Sequence, residues 1–285
     1  MTSVSLEACG PARWAGLEAF FAMRAIPGLE SVTDTGFRRN VPGGWVEVGS
    51  DANGDAVQVR YHLPAGADPT DLLSTVRRVA DLDADLEPIR AHLETDEVLS
   101  VRLANHPLGR RPGAFDGFEV AVRAVVGQQI SVAGARTLLG RLLAETAERS
   151  GSVHELHGEP HFDRFPTPEL VAECPIEIGM PKRRRATIRA IATAVADGQV
   201  MLDPELETDV VAEQLLAVPG IGPWTAGYIA MRCLDDPDGW PVGDLALRRS
   251  LGIEAADLER RAERWRPWRA YAALLLWQTD PTTKK

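Results

Sequence analysis

What the chain lacks narrows its class before any motif is read. Only three cysteines, Cys9, Cys174 and Cys233, are scattered through 285 residues, and an odd, dispersed set gives no disulfide framework. Three thiols also fall short of the four thiolates that hold an iron–sulfur cluster. No apolar run reaches the roughly 18–20 residues that a membrane-spanning helix needs. The first residues, MTSVSLEACGPARW, have no basic stretch followed by an apolar one, so no secretory leader is expected. An excess of positive charge is missing too, since 31 basic side chains face 41 acidic ones for a net charge of −10. These absences lead us to expect a cytoplasmic protein with no metal cluster and no membrane association.

What is present is an ordinary globular composition, 45% hydrophobic and 25% charged, in a chain long enough for one large core or two to three smaller ones. The acidity is unevenly spread. Residues 1–118 hold 11 basic against 17 acidic side chains and residues 151–181 hold one against six, whereas residues 182–285 carry 15 of each. Within that balanced third, Lys182–Arg185 and Arg248-Arg249 are basic clusters that could form a positive face. Solvated helix surface is the plainer reading of each.

The first 95 residues differ in texture from the rest. An apolar helix is expected over Trp14–Ala25, then two strands of period two, WVEVGS and AVQVRYHL, joined by the turn signal DANGD, then a helix over Pro69–Ala80. Beyond them helical periodicity dominates: Phe118–Val126, Val132–Glu148, Pro168–Glu173, Lys182–Asp197, Thr208–Ala217, Trp224–Arg232, Asp244–Leu251, Ala255–Trp265 and Pro267–Trp277, with Pro and Gly at most boundaries. The fold class expected is therefore mostly α with an α+β N-terminal domain carrying a small antiparallel sheet. The polar insertion SGSVHELHGEPHFD reads as an irregular surface loop. Its histidines, His154, His157 and His161, match no standard zinc spacing, so no metal is expected there.

Two motifs carry chemistry. Leu215–Ala226 reads LLAVPGIGPWTA, a Pro-Gly-x-Gly turn between two helical segments. Glycine at Gly220 and Gly222 permits conformations and close approaches that a Cβ forbids. Amide N–H groups presented at a helix N-terminus make an anion site, with a DNA phosphate the obvious anion, and Thr225 could add its hydroxyl and amide. The second motif is the lone acid of WPVGDLALRRS, Asp244, which opens a helix. Asp is a preferred N-cap, yet a helix N-terminus also favours the ionised form that a catalytic carboxylate needs.

VPGIGPWTAGYIAMR followed by GDLALRR resembles the helix–hairpin–helix DNA glycosylases, and within them the 3-methyladenine DNA glycosylase II (AlkA-type) branch. FFAMRAIPGLESV, FEVAVRAVVGQQISVAGARTL, FPTPELVA, GMPKRRRATI and ERWRPWRAYAALLLWQTD follow the same order, so the resemblance runs from about Trp14 to Asp280. It implies two helical domains flanking a cleft plus the sheet domain, divided here as 1–95, 117–236, and 96–116 together with 237–285. It further implies a monofunctional enzyme of base excision repair that flips alkylated purines out of double-stranded DNA and hydrolyses the N-glycosidic bond, leaving an abasic site.

The resemblance places Asp244 as the catalytic acid and Trp277, Trp224, Tyr228 and Phe20 around the base, with Leu245 standing where the branch often has Tyr. Trp265 and Trp268 are assigned to the core. Relatives that cut the strand carry a nucleophilic lysine where this chain has Trp224, and the nearest lysine in sequence is Lys182, so no lyase activity is implied. Gly220, Gly222, Thr225, Gln129 and Arg248 are expected at DNA, with Gln129 as the wedge and Gln128 as a neighbouring structural amide. The carbonyls of Leu216, Val218 and Ile221 could hold a structural Na or K ion; no other cofactor is expected. The partner implied is duplex DNA bearing a damaged base, met by a monomer. A glycosylase for deaminated or oxidised bases, a damage-binding protein that does not excise and a plain DNA-tethering hairpin remain the alternatives.

Overall fold

The computed structural model describes residues 1–51, 53–150, 154–156 and 159–278. Five antiparallel strands form the N-terminal sheet: β1 (Thr2–Glu7), β2 (Glu30–Thr33), β3 (Gly36–Val41), β4 (Gly44–Ser50) and β5 (Ala56–His62), in the order β1-β5-β4-β3-β2. Their register sets Val48 opposite Phe37 and Val59. That face buries against Trp14, Leu17 and Phe21 of α1 (Trp14–Arg24) and Val76 and Val79 of α2 (Thr70–Val79). On the other face Glu47 lies between Arg38 and Arg60 in register. Both arginines and the hydroxyls of Thr33 and Thr35 bond to its carboxylate, which is how an acid that is 1% exposed is satisfied. The two strands expected from alternation are thus the centre of a larger sheet, and β1, β2 and β3 complete it.

Two further cores are helical. One is built from α5 (Gly117–Gly127), α6 (Val132–Ser150), α7 (Pro168–Glu173), α8 (Lys182–Ala196), α9 (Thr208–Ala217) and α10 (Pro223–Cys233) around Val122, Leu142, Ile188 and Ile229. The other joins α3 (Leu86–Leu93) and α4 (Glu97–Asn105) to α11 (Leu245–Leu251), α12 (Ala255–Ala262), a 3-10 turn (Glu263–Trp265) and α13 (Arg269–Gln278) around Leu99, Leu247, Trp265 and Leu275. Neither α3 nor α4 was expected from the sequence. Both are short, and each starts on an aspartate whose side chain accepts first-turn N–H groups, Asp85 and Asp96. Leu86, Ile89 and Leu93 of α3 pack with Trp240 and Leu258, so the second helical core draws in chain from before residue 95.

Buried charge ties the parts together. Glu119 on α5 receives Arg39 from the sheet and Arg123 from its own helix, and Arg123 and Arg39 both reach Glu30. At a second joint Arg111 meets Asp81 and Asp235 and donates to the Met231 carbonyl, while the Tyr271 hydroxyl donates to Asp81 at 2.8 Å. The segment expected as an irregular loop contains a short antiparallel pair, β6 (His154–Leu156) and β7 (Glu159–His161). His161 Nδ1 lies 3.3 Å from Asn40 Nδ2, and His157 falls outside the described residues. Among the described residues no cluster of His, Cys, Asp or Glu is arranged to hold a metal, and no helix is long and apolar enough to cross a membrane.

Candidate active site

Asp244 is the N-cap of α11, and its Oδ1 accepts the Leu247 N–H at 2.8 Å. The cap is half of what the carboxylate does. Trp277 Nε1–H, from α13, donates to the same oxygen at 3.1 Å, and Trp224 Nε1–H, from the first turn of α10, donates to Oδ2 at 2.6 Å. Both oxygens are thereby fixed by donors from three helices of the two helical cores, and Asp244 is only 7% exposed. The loop that delivers it is pinned as well. Glu259 accepts from Trp240 Nε1 and from the Gly243 N–H, and Gly227 lets the Trp240 carbonyl lie directly on α10, where any Cβ would collide.

An aromatic wall runs from this carboxylate. Trp224 and Tyr228, one turn apart on α10, stack with centroids 5.4 Å apart and planes within 8°, and Trp277 leans against Tyr228 at 6.4 Å. Stacked rings ending on an acid provide flat, electron-rich surface beside a negative charge. Leu245, 52% exposed at the start of α11, forms an apolar lip next to Asp244.

Phe20 is already in contact with charge. Its ring already carries two guanidiniums, Arg24 at 3.8 Å and Arg232 at 4.7 Å from its centroid. Arg232 in turn donates to Tyr228 Oη at 2.8 Å and to the carbonyls of Pro112 and Gly113. Arg24 and Arg232 had no motif to announce them. An arginine four residues after an aromatic on each of two helices, Phe20/Arg24 and Tyr228/Arg232, is the signal that sequence reading passed over.

The hairpin between α9 and α10 resolves the two glycines into different roles. Gly220 has φ +92, and a Cβ there would strike the Thr187 side chain of α8. Gly222 caps α10 with φ −110, no side-chain cap bond and open space around its Cα. Thr225 departs from expectation: it is buried, and its hydroxyl oxygen accepts from Gln128 Nε2 at 3.1 Å. Its side chain faces α5, away from solvent. Gln128 is the structural amide, whereas Gln129 is exposed with φ +59 in the turn between α5 and α6. Arg248, expected at DNA, is ion-paired to Glu254 at 2.6 Å.

The N-terminal domain of AlkA is the family description that matches residues 3–116. Over 286 residues the chain is 32% identical to DNA-3-methyladenine glycosylase 2 of Escherichia coli, covering 95% of each protein. It belongs to the AlkA family. The chain is also 39% identical over 288 residues to a Mycobacterium tuberculosis protein named a probable bifunctional transcriptional activator/DNA repair enzyme AlkA; the match takes in 97% of this chain but spans only 57% of that protein. Among solved structures, 3-methyladenine DNA-glycosylase from Archaeoglobus fulgidus superposes with a TM-score of 0.78 at 21% identity, covering 97% of this chain and 98% of that one. The architecture, a helix–hairpin–helix glycosylase fold with an antiparallel-sheet domain, is thus shared across the AlkA family member described here and that neighbour.

Proposed function

We propose that the protein is a monofunctional DNA glycosylase that hydrolyses the N-glycosidic bond of alkylated purines, such as 3-methyladenine and 7-methylguanine, in duplex DNA. The observation that carries this reading is Asp244 held through both oxygens at the end of the Trp224–Tyr228–Trp277 wall. As the base departs, the sugar gains oxocarbenium character, and a carboxylate oriented before the reaction stabilises that charge without reorganising. The same group orients the attacking water or takes its proton. Flipping the nucleotide costs a few kcal/mol; Gln129, exposed on its left-handed turn, is suited to fill the gap left in the duplex. The uncapped first turn of α10 at Gly222 is suited to a backbone phosphate.

Leu216, Val218 and Ile221 would hold a monovalent cation. Val218 O accepts the Ile221 N–H at 3.1 Å and keeps a second lone pair, and three neutral carbonyl oxygens are a hard donor set that suits Na or K. Such an ion would bridge hairpin and phosphate.

Trp224 stands where strand-cutting relatives carry lysine, and its indole is committed to Asp244. The chain has three lysines, Lys182, Lys284 and Lys285, and none lies near Asp244 in sequence. A Schiff base needs a free amine placed at the sugar, which in the strand-cutting relatives is that lysine's, so borohydride is expected to trap no covalent protein–DNA adduct; a trapped band would overturn the monofunctional assignment. The substrate class is tested by mass spectrometry of what the protein frees from alkylated duplex DNA. Free methylated purines are expected, and release of nothing, with binding retained, would favour a damage-binding protein.

A further inference from the structure

Beside the aromatic wall lies a cation that the reaction just described does not use. Arg24, at the end of α1, is partly buried, and among the described residues the one hydrogen bond of its guanidinium runs from Nη1 to the Phe20 carbonyl at 3.1 Å. Its neighbours are treated differently. Arg123, which donates to the Arg24 carbonyl, is neutralised by Glu30 and Glu119, and Arg232 spends its donors on Tyr228 and two backbone carbonyls. Arg24 has no carboxylate partner among the described residues, and none of its nitrogens is sealed from solvent without a partner. Burial pushes its guanidinium below the ordinary value, the neighbouring Arg232 and Arg123 push the same way, and Tyr228 pulls it back up. Two guanidiniums on one phenyl ring repel each other, a cost that an acceptor arriving from outside would relieve.

We propose that Arg24 is a specificity-determining residue that donates to the carbonyl edge of a flipped neutral base and disfavours formally cationic ones. This rests on the glycosylase reading of the same site. Asp244 and the stacked rings attract positive charge from one side, whereas Arg24 and Arg232 oppose it from the Phe20 side. The pocket so built levels charged and uncharged substrates: it gives up part of the cation–π gain on 3-methyladenine, which has no carbonyl, and adds a donor for a base such as hypoxanthine, whose exocyclic carbonyl oxygen can accept.

The test compares single-turnover excision of 3-methyladenine and of hypoxanthine from duplexes otherwise identical, for the unmodified protein, Arg24→Met and Arg24→Lys. Arg24→Met is expected to raise the ratio of 3-methyladenine to hypoxanthine rate constants by about tenfold, the size of one charge-assisted hydrogen bond. Arg24→Lys, which keeps charge but loses the planar fork, is expected to fall between. A ratio unchanged in Arg24→Met overturns the proposal, because a structural role slows both bases alike. Weakened binding of undamaged duplex with the ratio unchanged places Arg24 on a backbone phosphate and also overturns it. If the unmodified protein excises neither base, it is the glycosylase reading that fails.

Discussion

At Asp244 the carboxylate that caps α11 through the Leu247 N–H also accepts from two indoles. This changes what an aromatic substitution measures. Trp277→Ala removes ring area and a donor together, so it cannot separate stacking from positioning, whereas Trp277→Phe and Trp224→Phe keep a six-membered ring and much of the stacking area while removing the N–H. Oδ1 retains the Leu247 N–H in the first, but among the described residues Oδ2 loses its only donor in the second. We therefore expect Trp224→Phe to slow single-turnover excision more than Trp277→Phe does. A hydrogen bond to a charged group contributes roughly 1.5–3 kcal/mol, so the slower variant should fall about ten- to a hundredfold. Equal losses in the two variants would assign both indoles to shape alone.

At the scale of elements, the hairpin shows how two glycines one residue apart differ in kind. Gly220 is required by the fold, since its left-handed φ and the nearness of Thr187 leave no room for a Cβ. Gly222 has space around it, so glycine there is explained by what approaches from outside. Gly220→Ala should lower the melting temperature. Gly222→Val should leave it nearly unchanged while weakening binding to damaged and undamaged duplex by a similar factor, because a phosphate contact carries no sequence or lesion information. Loss confined to damaged DNA in a binding titration would remove Gly222 from the backbone contact.

The helices of the hairpin and of Asp244 were legible because their signals are local: Pro-Gly-x-Gly, an acid opening a helix, apolar residues at helical spacing. Thr208–Ala217 and Pro168–Glu173 coincide with the expected bounds. What escaped depends on partners far away in sequence. β1 reads as polar chain until β5 pairs with it, and Thr225 reads as a DNA ligand until Gln128, 97 residues earlier, takes its hydroxyl. The approach of Arg232, from another helix, to the Phe20 ring is equally invisible to local spacing.

Across the whole molecule, the three cores are fastened by buried ion pairs, and these set the response to acid. Burial alone would raise the Glu119 carboxyl, but Arg39 and Arg123 hold it down at about 2. Asp96, which caps α4, is likewise held at about 2 against its own burial by bonds from Arg261, Trp265 and the N–H groups of Leu99 and Val98. Groups whose folded values are depressed contribute stability above their unfolded value of about 4, and that contribution is lost as pH falls through about 2. Urea midpoints should therefore decline steeply between about pH 4 and pH 2. Asp96→Asn should already be destabilised at pH 7, by roughly 2–3 kcal/mol because Arg261 is partly exposed, and should decline less steeply. Parallel pH curves for the two proteins would contradict the assignment.

Asp244 is the group proposed to meet the sugar cation. Its most direct test is Asp244→Asn, which keeps the side-chain volume and the carbonyl oxygen that can cap α11 but removes the charge. Single-turnover release of 7-methylguanine should fall by several orders of magnitude while affinity for duplex DNA stays near that of the unmodified protein. Turnover within about tenfold of the unmodified protein, with the variant folded and DNA-bound, would mean that the charge of Asp244 does not drive excision.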